Sequence, residues 1–126
     1  MNVININNCF NSLQQDEQSD IQTLPIVEGE PSFILAALKP ERKLGAHYHT
    51  KGQEIYHVLE GQGVMEIGVL EDGLVKWEES CVLNAGDVFT VLPNMVHRLA
   101  NTGKASLKLV FLTSPTHLNE DRFFIH

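Results

Sequence analysis

The stretch GAHYHTKGQEIYHVLEG, residues 45–61, decides how this 126-residue chain is interpreted. His47 and His49 are two positions apart, and side chains at that spacing on a β-strand point to the same face. Glu54 follows a Lys-Gly turn, which can return the chain antiparallel and bring the Glu54 carboxylate opposite the two imidazoles. Imidazole and carboxylate groups gathered on one face suit a divalent transition metal.

A second stretch, GDVFTVLPNMVHRLAN at residues 86–101, adds a third histidine, His97, directly after a Pro-Asn turn. An H-x-H pair, a lone glutamate or a lone histidine needs no special explanation by itself. Three imidazoles and one carboxylate together are hard to bury without a shared cation. Four protein ligands would also leave coordination positions open for water or substrate. The predicted ligands of one divalent metal ion are His47, His49, Glu54 and His97.

Outside these two stretches, short apolar runs alternate with turn signals from residue 24 onward. Asp72-Gly73 is a strong hairpin signal because glycine adopts a positive φ without steric cost. No segment has a long 3.6-residue periodicity, and only a short helical turn is expected near residues 115–121. Many short strands at near-even spacing favour an antiparallel sandwich or barrel. The pattern predicts an all-β domain of about nine to eleven short antiparallel strands.

The two stretches together resemble the two signature motifs of the cupin superfamily. In the first motif H-x-H is followed by a glutamate and later by Gly61, and in the second Gly86, His97 and Asn101 hold the expected spacing. The resemblance covers roughly residues 32–112 and is to the small single-domain, RmlC-like cupins. It implies a double-stranded β-helix, which is a jelly-roll-like barrel. It also implies the same four metal ligands, with iron, manganese, zinc, nickel or copper as the ion.

Three positions depart from the motif pattern. Glu41 stands where the first motif usually has a glycine, and Leu92 and Asn94 stand where the second motif usually has proline and glycine. Asparagine tolerates a positive φ better than most residues, so the turn can persist. Because none of the three removes a metal ligand, they bear on the subfamily and not on the fold.

The chain divides into a polar arm at residues 1–23 and a single barrel domain at residues 24–126, which includes a C-terminal tail at 113–126. The arm is rich in Asn, Gln, Asp and Ser, with a short apolar start at residues 3–6. That start is either a frayed end or a strand that pairs with a second subunit. Small cupins usually dimerise, so the resemblance implies a homodimer.

Strand parity separates the other polar residues near the predicted ligands. Tyr56 shares the parity of Glu54 and is predicted to face the barrel interior. There it is a packed aromatic, a group that orients a ligand, or an acid. His57, Tyr48 and Arg98 have the opposite parity to their neighbouring ligands and are predicted to point away from the metal.

The predicted pocket around the metal is small and apolar. Val58 and Leu99 share parity with the ligands and are expected to line it, which suits a small organic molecule. His117 in the tail is a further catalytic candidate, expected near the mouth of the pocket.

Composition restricts the partners and the compartment. The formal net charge is −7, with 16 acidic against 9 basic residues, and no basic cluster exceeds the pair Arg42-Lys43. Neither nucleic acid nor a membrane surface is therefore an expected partner. Cys9 and Cys81 are far apart and form no disulfide framework. The chain shows neither a secretory signal nor an apolar stretch of roughly 20 residues, so a cytoplasmic protein is expected.

The resemblance leaves several functions open. Small cupins of this kind include dioxygenases, isomerases or epimerases, lyases and decarboxylases, whose metal polarises a carbonyl or chelates an enol. In such an enzyme Glu54 and Tyr56 are the catalytic candidates, with Glu54 able to leave the metal and act as a base. The alternative is a non-catalytic cupin that binds or senses a sugar or organic acid and holds a structural metal. A stable barrel with an adventitious metal is the third possibility.

Overall fold

A computed structural model describes all 126 residues, and β-strands dominate it. The strands are β1 (Gln14–Gln15), β2 (Gln22–Val27), β3 (Ser32–Leu38), β4 (Lys43–Tyr48), β5 (Glu54–Glu60), β6 (Gln62–Glu71), β7 (Leu74–Asn84), β8 (Val88–Val91), β9 (Val96–Asn101), β10 (Leu107–Thr113) and β11 (Phe123–Phe124). Three short 3-10 helices lie at Ile6–Asn8, Phe10–Ser12 and Pro115–Leu118. No helix is long and apolar enough to cross a membrane.

The strands form two antiparallel sheets that enclose one core. The six-stranded sheet has the order β1-β2-β3-β10-β5-β8, and the five-stranded sheet has the order β11-β4-β9-β6-β7. A cluster of 14 buried apolar residues draws on both sheets, with Ile34 and Phe111 from the first and Met65 and Leu99 from the second. The predicted all-β double-stranded β-helix of nine to eleven antiparallel strands is confirmed.

Alternation along β5 sets which side chains enter the barrel. Glu54, Tyr56 and Val58 are buried, while His57 between them is exposed. Because β5 lies between β8 and β10, Tyr56 is paired with Phe89 on one side and Phe111 on the other. The inward face of this strand is therefore apolar except at Glu54, at the end where the metal was predicted.

The turns follow the backbone geometry that their residues favour. Asp72 and Gly73, with φ of 51° and 79°, join β6 to β7 in the predicted hairpin. Asn94 has the positive φ, 65°, that its place in the second motif anticipates. Glu41 also has a positive φ, 68°, which costs a residue with a Cβ about 1–2 kcal/mol. The backbone at Glu41 thus keeps a conformation that suits the glycine usual at that motif position.

Two segments differ from the strand pattern expected of the sequence. The sequence predicts separate short strands at 74–77 and 81–83, but both stretches belong to one eleven-residue strand, β7, because this edge strand is largely exposed and its polar middle does not interrupt pairing. The apolar start at residues 3–6 forms no strand. The first sheet instead begins at β1, inside the predicted arm, and Ile21 is 1% exposed and part of the core.

The arm lies against the barrel of its own chain. The Lys108 ammonium group is 4.5 Å from the centre of the Phe10 ring, and β1 pairs with β2 to extend the six-stranded sheet. Arg122 in the tail donates to Asp16 at 2.9 Å. The arm and the tail therefore meet on one side of the molecule.

Candidate metal centre

Three of the four predicted ligands converge at one end of the barrel. His47 of β4 is directly opposite His97 of β9 in the sheet register, and His49 follows one residue after β4. One ring nitrogen from each residue lies within 4.8 Å of the others, and the ring centres of His47 and His97 are 4.1 Å apart. These residues, His47, His49 and His97, are called the histidine triad below.

Backbone carbonyls orient all three imidazoles in the same way. Nδ1 lies 2.8 Å from the Gly45 oxygen in His47, 2.6 Å from the Asp121 oxygen in His49, and 3.0 Å from the Met95 oxygen in His97. A carbonyl oxygen only accepts, so each Nδ1 carries the proton and each Nε2 presents a lone pair. A backbone partner on one nitrogen is the usual arrangement behind a metal-binding histidine.

The environment of the triad is buried, and it favours neutral imidazole at His47 and His97. None of the three side chains is more than 2% exposed, and Nε2 of His49 and of His97 has no hydrogen-bond partner in the protein. Burial, with the nearby His97, lowers the pKa of His47 well below its usual value. Burial likewise lowers the pKa of His97 to about 4, although the Glu54 charge opposes it. Neutral imidazole is the form that binds metals.

The Glu54 carboxylate lies beside the triad and belongs to a second close group. Its Oε2 atom is 3.0 Å from Nε2 of His49 and 3.0 Å from Nδ1 of His117, and these three residues also offer atoms within 4.8 Å of one another. Burial raises the pKa of Glu54, but the hydrogen bond with His117 and the nearby imidazoles of His49 and His97 outweigh it, and the net pKa is well below the usual range. Glu54 is therefore an anion that shares His49 with the triad.

His117 is the residue whose position the sequence indicated least well. Expected near the pocket mouth, it is 1% exposed and donates from Nε2 to the Lys51 carbonyl at 2.6 Å. The Thr113 hydroxyl contacts both the Glu54 carboxylate and Nδ1 of His117. Burial lowers the pKa of His117, while the hydrogen bonds to Glu54 and Lys51 and the charges of Glu54 and Asp121 raise it on balance.

The C-terminal tail closes this end of the barrel. The Asp121 carboxylate accepts from the Thr50 amide and hydroxyl, each at 2.8 Å, and from the Lys51 amide at 3.0 Å. Strand β11 pairs with β4 and sets the Phe124 ring 5.1 Å from the His47 ring. The same tail supplies the carbonyl that orients His49, so the tail and the triad are structurally coupled.

The cavity enclosed between the triad and the tail is small, about 10 Å³. It is lined by Ile21, Leu44, His47, His49, Glu54, Tyr56, Phe111, His117, Leu118 and Arg122. Tyr56 faces it as predicted, and its buried hydroxyl has no hydrogen-bond partner. Burial, together with the Glu54 charge, raises the pKa of Tyr56 well above its usual value. The expectation for Val58 and Leu99 is wrong, because both pack in the apolar core behind this cavity.

The cupin domain family matches residues 34–113 of this sequence, the span that carries both motifs. The chain belongs to the cupin family.

Two relatives and one solved structure place this cupin among its neighbours. It is 29% identical over 97 residues to the uncharacterized protein MJ1618 of Methanocaldococcus jannaschii, covering 76% of this chain and 70% of that protein. It is 31% identical over 100 residues to the polyketide synthase CurC of Streptomyces cyaneus, covering 76% of this chain and 59% of CurC. An uncharacterized Klebsiella pneumoniae protein with a double-stranded β-helix domain superposes with a TM-score of 0.70 at 18% identity, covering 100% of this chain and 98% of that one.

Two further motif positions of this cupin are structural. Asn101 is buried, and its side-chain amide donates to the Leu38 and Ala105 carbonyls while its oxygen accepts from the Gly103 amide. Gly61 has a φ of 89°, and a Cβ there would lie 2.7 Å from the Ser106 oxygen. Both residues therefore hold loops that connect the strands, away from the metal ligands.

The residues predicted to point away from the metal do so. His57 is exposed on β5, and the Tyr48 ring stacks on Phe123 with 5.3 Å between ring centres. The Arg98 guanidinium pairs with the Glu66 carboxylate at 2.9 Å and lies over the Trp77 ring. Strand parity therefore separates these residues from the triad correctly.

The donor set of this cupin fits a divalent transition metal. Three imidazole nitrogens with an adjacent carboxylate suit zinc, iron, manganese, nickel or copper. Nε2 of His49 lies 3.0 Å from the Glu54 carboxylate, so both atoms could bind one shared cation. The partnerless Nε2 atoms of His49 and His97 are the groups that an ion would satisfy.

Proposed function

We propose that this cupin binds one divalent transition metal ion and acts as an enzyme on a small organic substrate. The ligands would be Nε2 of His47, His49 and His97, with Glu54 as the fourth. The observation that carries the proposal is the convergence of three oriented, buried Nε2 atoms, two of which have no partner in the protein. The reaction would be of the dioxygenase, isomerase or lyase type.

The chemistry of a bound ion would be that of a Lewis acid or, for a redox-active metal, of an oxygen-binding centre. The residues around it then have distinct tasks. The Glu54 carboxylate lies beside His49 and would act as the base at the substrate once it leaves the ion. The Tyr56 hydroxyl keeps its proton to high pH and faces the same cavity, which suits a hydrogen-bond donor to the substrate.

The closed cavity favours a second candidate, a cupin with a structural metal that binds or senses a small molecule without turnover. About 10 Å³ is the space of roughly one water molecule, so a substrate enters only if the tail moves. An enzyme needs repeated opening of the tail, whereas a structural metal site does not. Oxygen uptake or product formation on a panel of small organic acids and sugars by the metal-loaded protein supports the enzyme. Saturable binding without product supports the second candidate.

Metal analysis tests the part of the proposal that both candidates share. Protein purified without added metal should contain close to one transition ion per chain, and a chelator should lower its melting temperature. The His97→Ala variant should lose the ion, because it removes one of the triad nitrogens. His57→Ala is the matched control, since His57 is an exposed histidine of the same barrel, and it should keep the ion. Equal metal content in both variants would contradict the proposed site.

We further infer that the protein acts as a homodimer in the cytoplasm, with a small molecule as its ligand. Val3, Ile4 and Val27 leave apolar surface exposed beside the six-stranded sheet, and a second subunit would cover it. Light scattering should give twice the 14.1 kDa mass of the chain. A monomer mass would contradict the dimer and leave the metal site standing.

A further inference from the structure

The Arg122 guanidinium is the one cationic side chain outside the histidines that lines the metal cavity. Its side chain is 6% exposed, and one terminal nitrogen donates to the Asp16 carboxylate at 2.9 Å. Its Nε atom is buried and has no hydrogen-bond partner. A buried charged donor without a partner is costly, because it has lost its water without gaining an acceptor. A group that accepts from Nε would recover that cost.

A second unpartnered donor lines the same cavity. The Tyr56 hydroxyl is fully buried, makes no hydrogen bond, and lies on the strand that carries Glu54. Arg122 and Tyr56 line the same cavity. The cavity therefore presents the metal ligands on one side and two unsatisfied donors, one of them charged, on the other.

With a divalent ion bound, the cavity would carry one positive charge that no side chain compensates. The Asp16 carboxylate compensates Arg122, and Glu54 compensates half of the charge of a divalent ion. The three triad imidazoles are neutral donors and compensate none of it. Buried charges are stable when they are paired, so a monoanion next to the ion and Arg122 completes the site.

We propose that the ligand of this site is a small carboxylate, held between the metal ion and the donors of Arg122 and Tyr56. The proposal rests on the metal binding proposed above. A carboxylate has two acceptor oxygens, which matches one contact to the ion and one to a guanidinium. A neutral sugar or alcohol would leave half of the charge of the ion uncompensated and would bring no anionic acceptor to Nε of Arg122.

The tail would close over this ligand and carry Arg122 with it. The present cavity accommodates a single oxygen-sized group, so a whole carboxylate displaces Leu118 and Arg122 outward. Strand β11, the contacts of Asp121, the hydrogen bonds of His117 and the Arg122–Asp16 pair hold the tail to the rest of the chain at this end. Arg122 thus combines an anion contact with a position on the element that has to move.

The test compares acetate with acetamide, which have nearly the same size but differ in charge. Wild-type protein loaded with Co²⁺ is titrated with each at constant ionic strength, and the visible absorption of the bound ion is followed. Acetate should change the spectrum saturably, and acetamide should bind at least about tenfold more weakly. Equal effects of the two compounds, or no saturable effect of acetate, would overturn the proposal.

Substitutions then test whether Arg122 and Tyr56 contact the bound acetate. Arg122→Gln and Tyr56→Phe should each weaken acetate binding, Arg122→Gln by about tenfold or more, while the cobalt content stays at one ion per chain. Arg98→Gln is the matched control, because Arg98 pairs with Glu66 on the outside of the barrel, and it should bind acetate as the wild type does. If Arg122→Gln fails to fold, Tyr56→Phe and the wild-type comparison of acetate with acetamide decide.

The metal content separates the two proposals. Wild-type protein that holds no cobalt contradicts the proposed metal site, and with it the carboxylate site. Wild-type protein that holds one cobalt ion but binds acetate no better than acetamide contradicts the carboxylate site alone. Unchanged acetate affinity in both Arg122→Gln and Tyr56→Phe would also overturn the assignment.

Discussion

The histidine triad and His117 lie side by side next to Glu54, with 4.1 Å between the ring centres of His49 and His117, and are held in different ways. Each triad histidine lies on or next to β4 or β9 and donates its Nδ1 proton to a backbone carbonyl. His117 lies on the 3-10 helix of the tail, and both of its ring nitrogens form hydrogen bonds within the protein, one with the Lys51 carbonyl and one with the Glu54 carboxylate. The triad therefore has nitrogen lone pairs free for an ion, whereas His117 positions the carboxylate beside it.

This difference indicates which histidines would bind an ion and which one would position the Glu54 carboxylate as a support. A ligand needs a free lone pair and a neutral ring, and burial gives His47 and His97 lowered pKa values. An anionic partner stabilises the protonated form of a supporting histidine. Burial lowers the pKa of His117, but its hydrogen bonds to Glu54 and Lys51 raise it on balance. The two pKa directions follow from the two sets of partners.

The largest expected difference is in metal binding. His47→Ala should lower the metal content below roughly a tenth of an ion per chain, because it removes a ligand nitrogen. His117→Ala should keep the ion with an affinity lower by about 10- to 100-fold, as expected for a residue that positions a ligand. Competition with a chromogenic chelator measures both. Loss of the ion in His117→Ala with retention in His47→Ala would reverse the assignment.

The next difference is in how the metal-free protein responds to acid. His97 has a folded pKa of about 4, and an unfolded histidine titrates near about 6.5. Between these values only the unfolded chain takes up the proton, so His97 should lower the free energy of unfolding by about 2 kcal/mol from about pH 7.5 to about pH 5. His117 has the opposite sign, because its raised pKa contributes stability at low pH that is lost as pH rises through the folded pKa.

Urea unfolding at the two pH values, in the presence of chelator, checks both signs. The His97→Gln variant should lose less stability in acid than the wild type, and His117→Gln should lose more. The same response to acid in both variants would contradict the distinction between ligand and support.

The smallest expected effect is on the anchor of the tail. Asp121→Ala removes a carboxylate that accepts three hydrogen bonds from Thr50 and Lys51, and it should lower the free energy of unfolding by about 1–2 kcal/mol. It should also speed release of a bound ion, because the tail covers the triad. Glu120→Ala, at the exposed neighbouring position, should change stability by less than about 0.5 kcal/mol. Equal unfolding midpoints for the two variants would show that Asp121 is not the anchor.

Much of the barrel could be predicted because its signals are local. Strands β3 and β5 coincide with the apolar runs that the sequence shows at 32–38 and 54–60, and the Asp72-Gly73 hairpin follows from the conformations those residues favour. Parity alone identified the inward positions of His47, His49 and Tyr56. The triad is predictable for the same reason, since its members lie on or next to regular strands.

The rest depends on contacts between distant parts of the chain. Glu54 and His117 are 63 residues apart, and the tail between Thr113 and the C-terminus has no periodicity that would show where it packs. Polar Gln14 and Gln15 form an edge strand while apolar Val3 and Ile4 form none, because pairing with β2 and not hydrophobicity decides that strand. The same long-range packing buries Arg122 in the metal cavity.

Anomalous X-ray scattering from crystals of the metal-loaded protein tests the central claim most directly. We expect a single strong peak about 2.0–2.2 Å from Nε2 of His47, His49 and His97, with the Glu54 carboxylate next to it. A peak bound by His117 and not by His47 and His97, or no peak at this end of the barrel, would contradict the account.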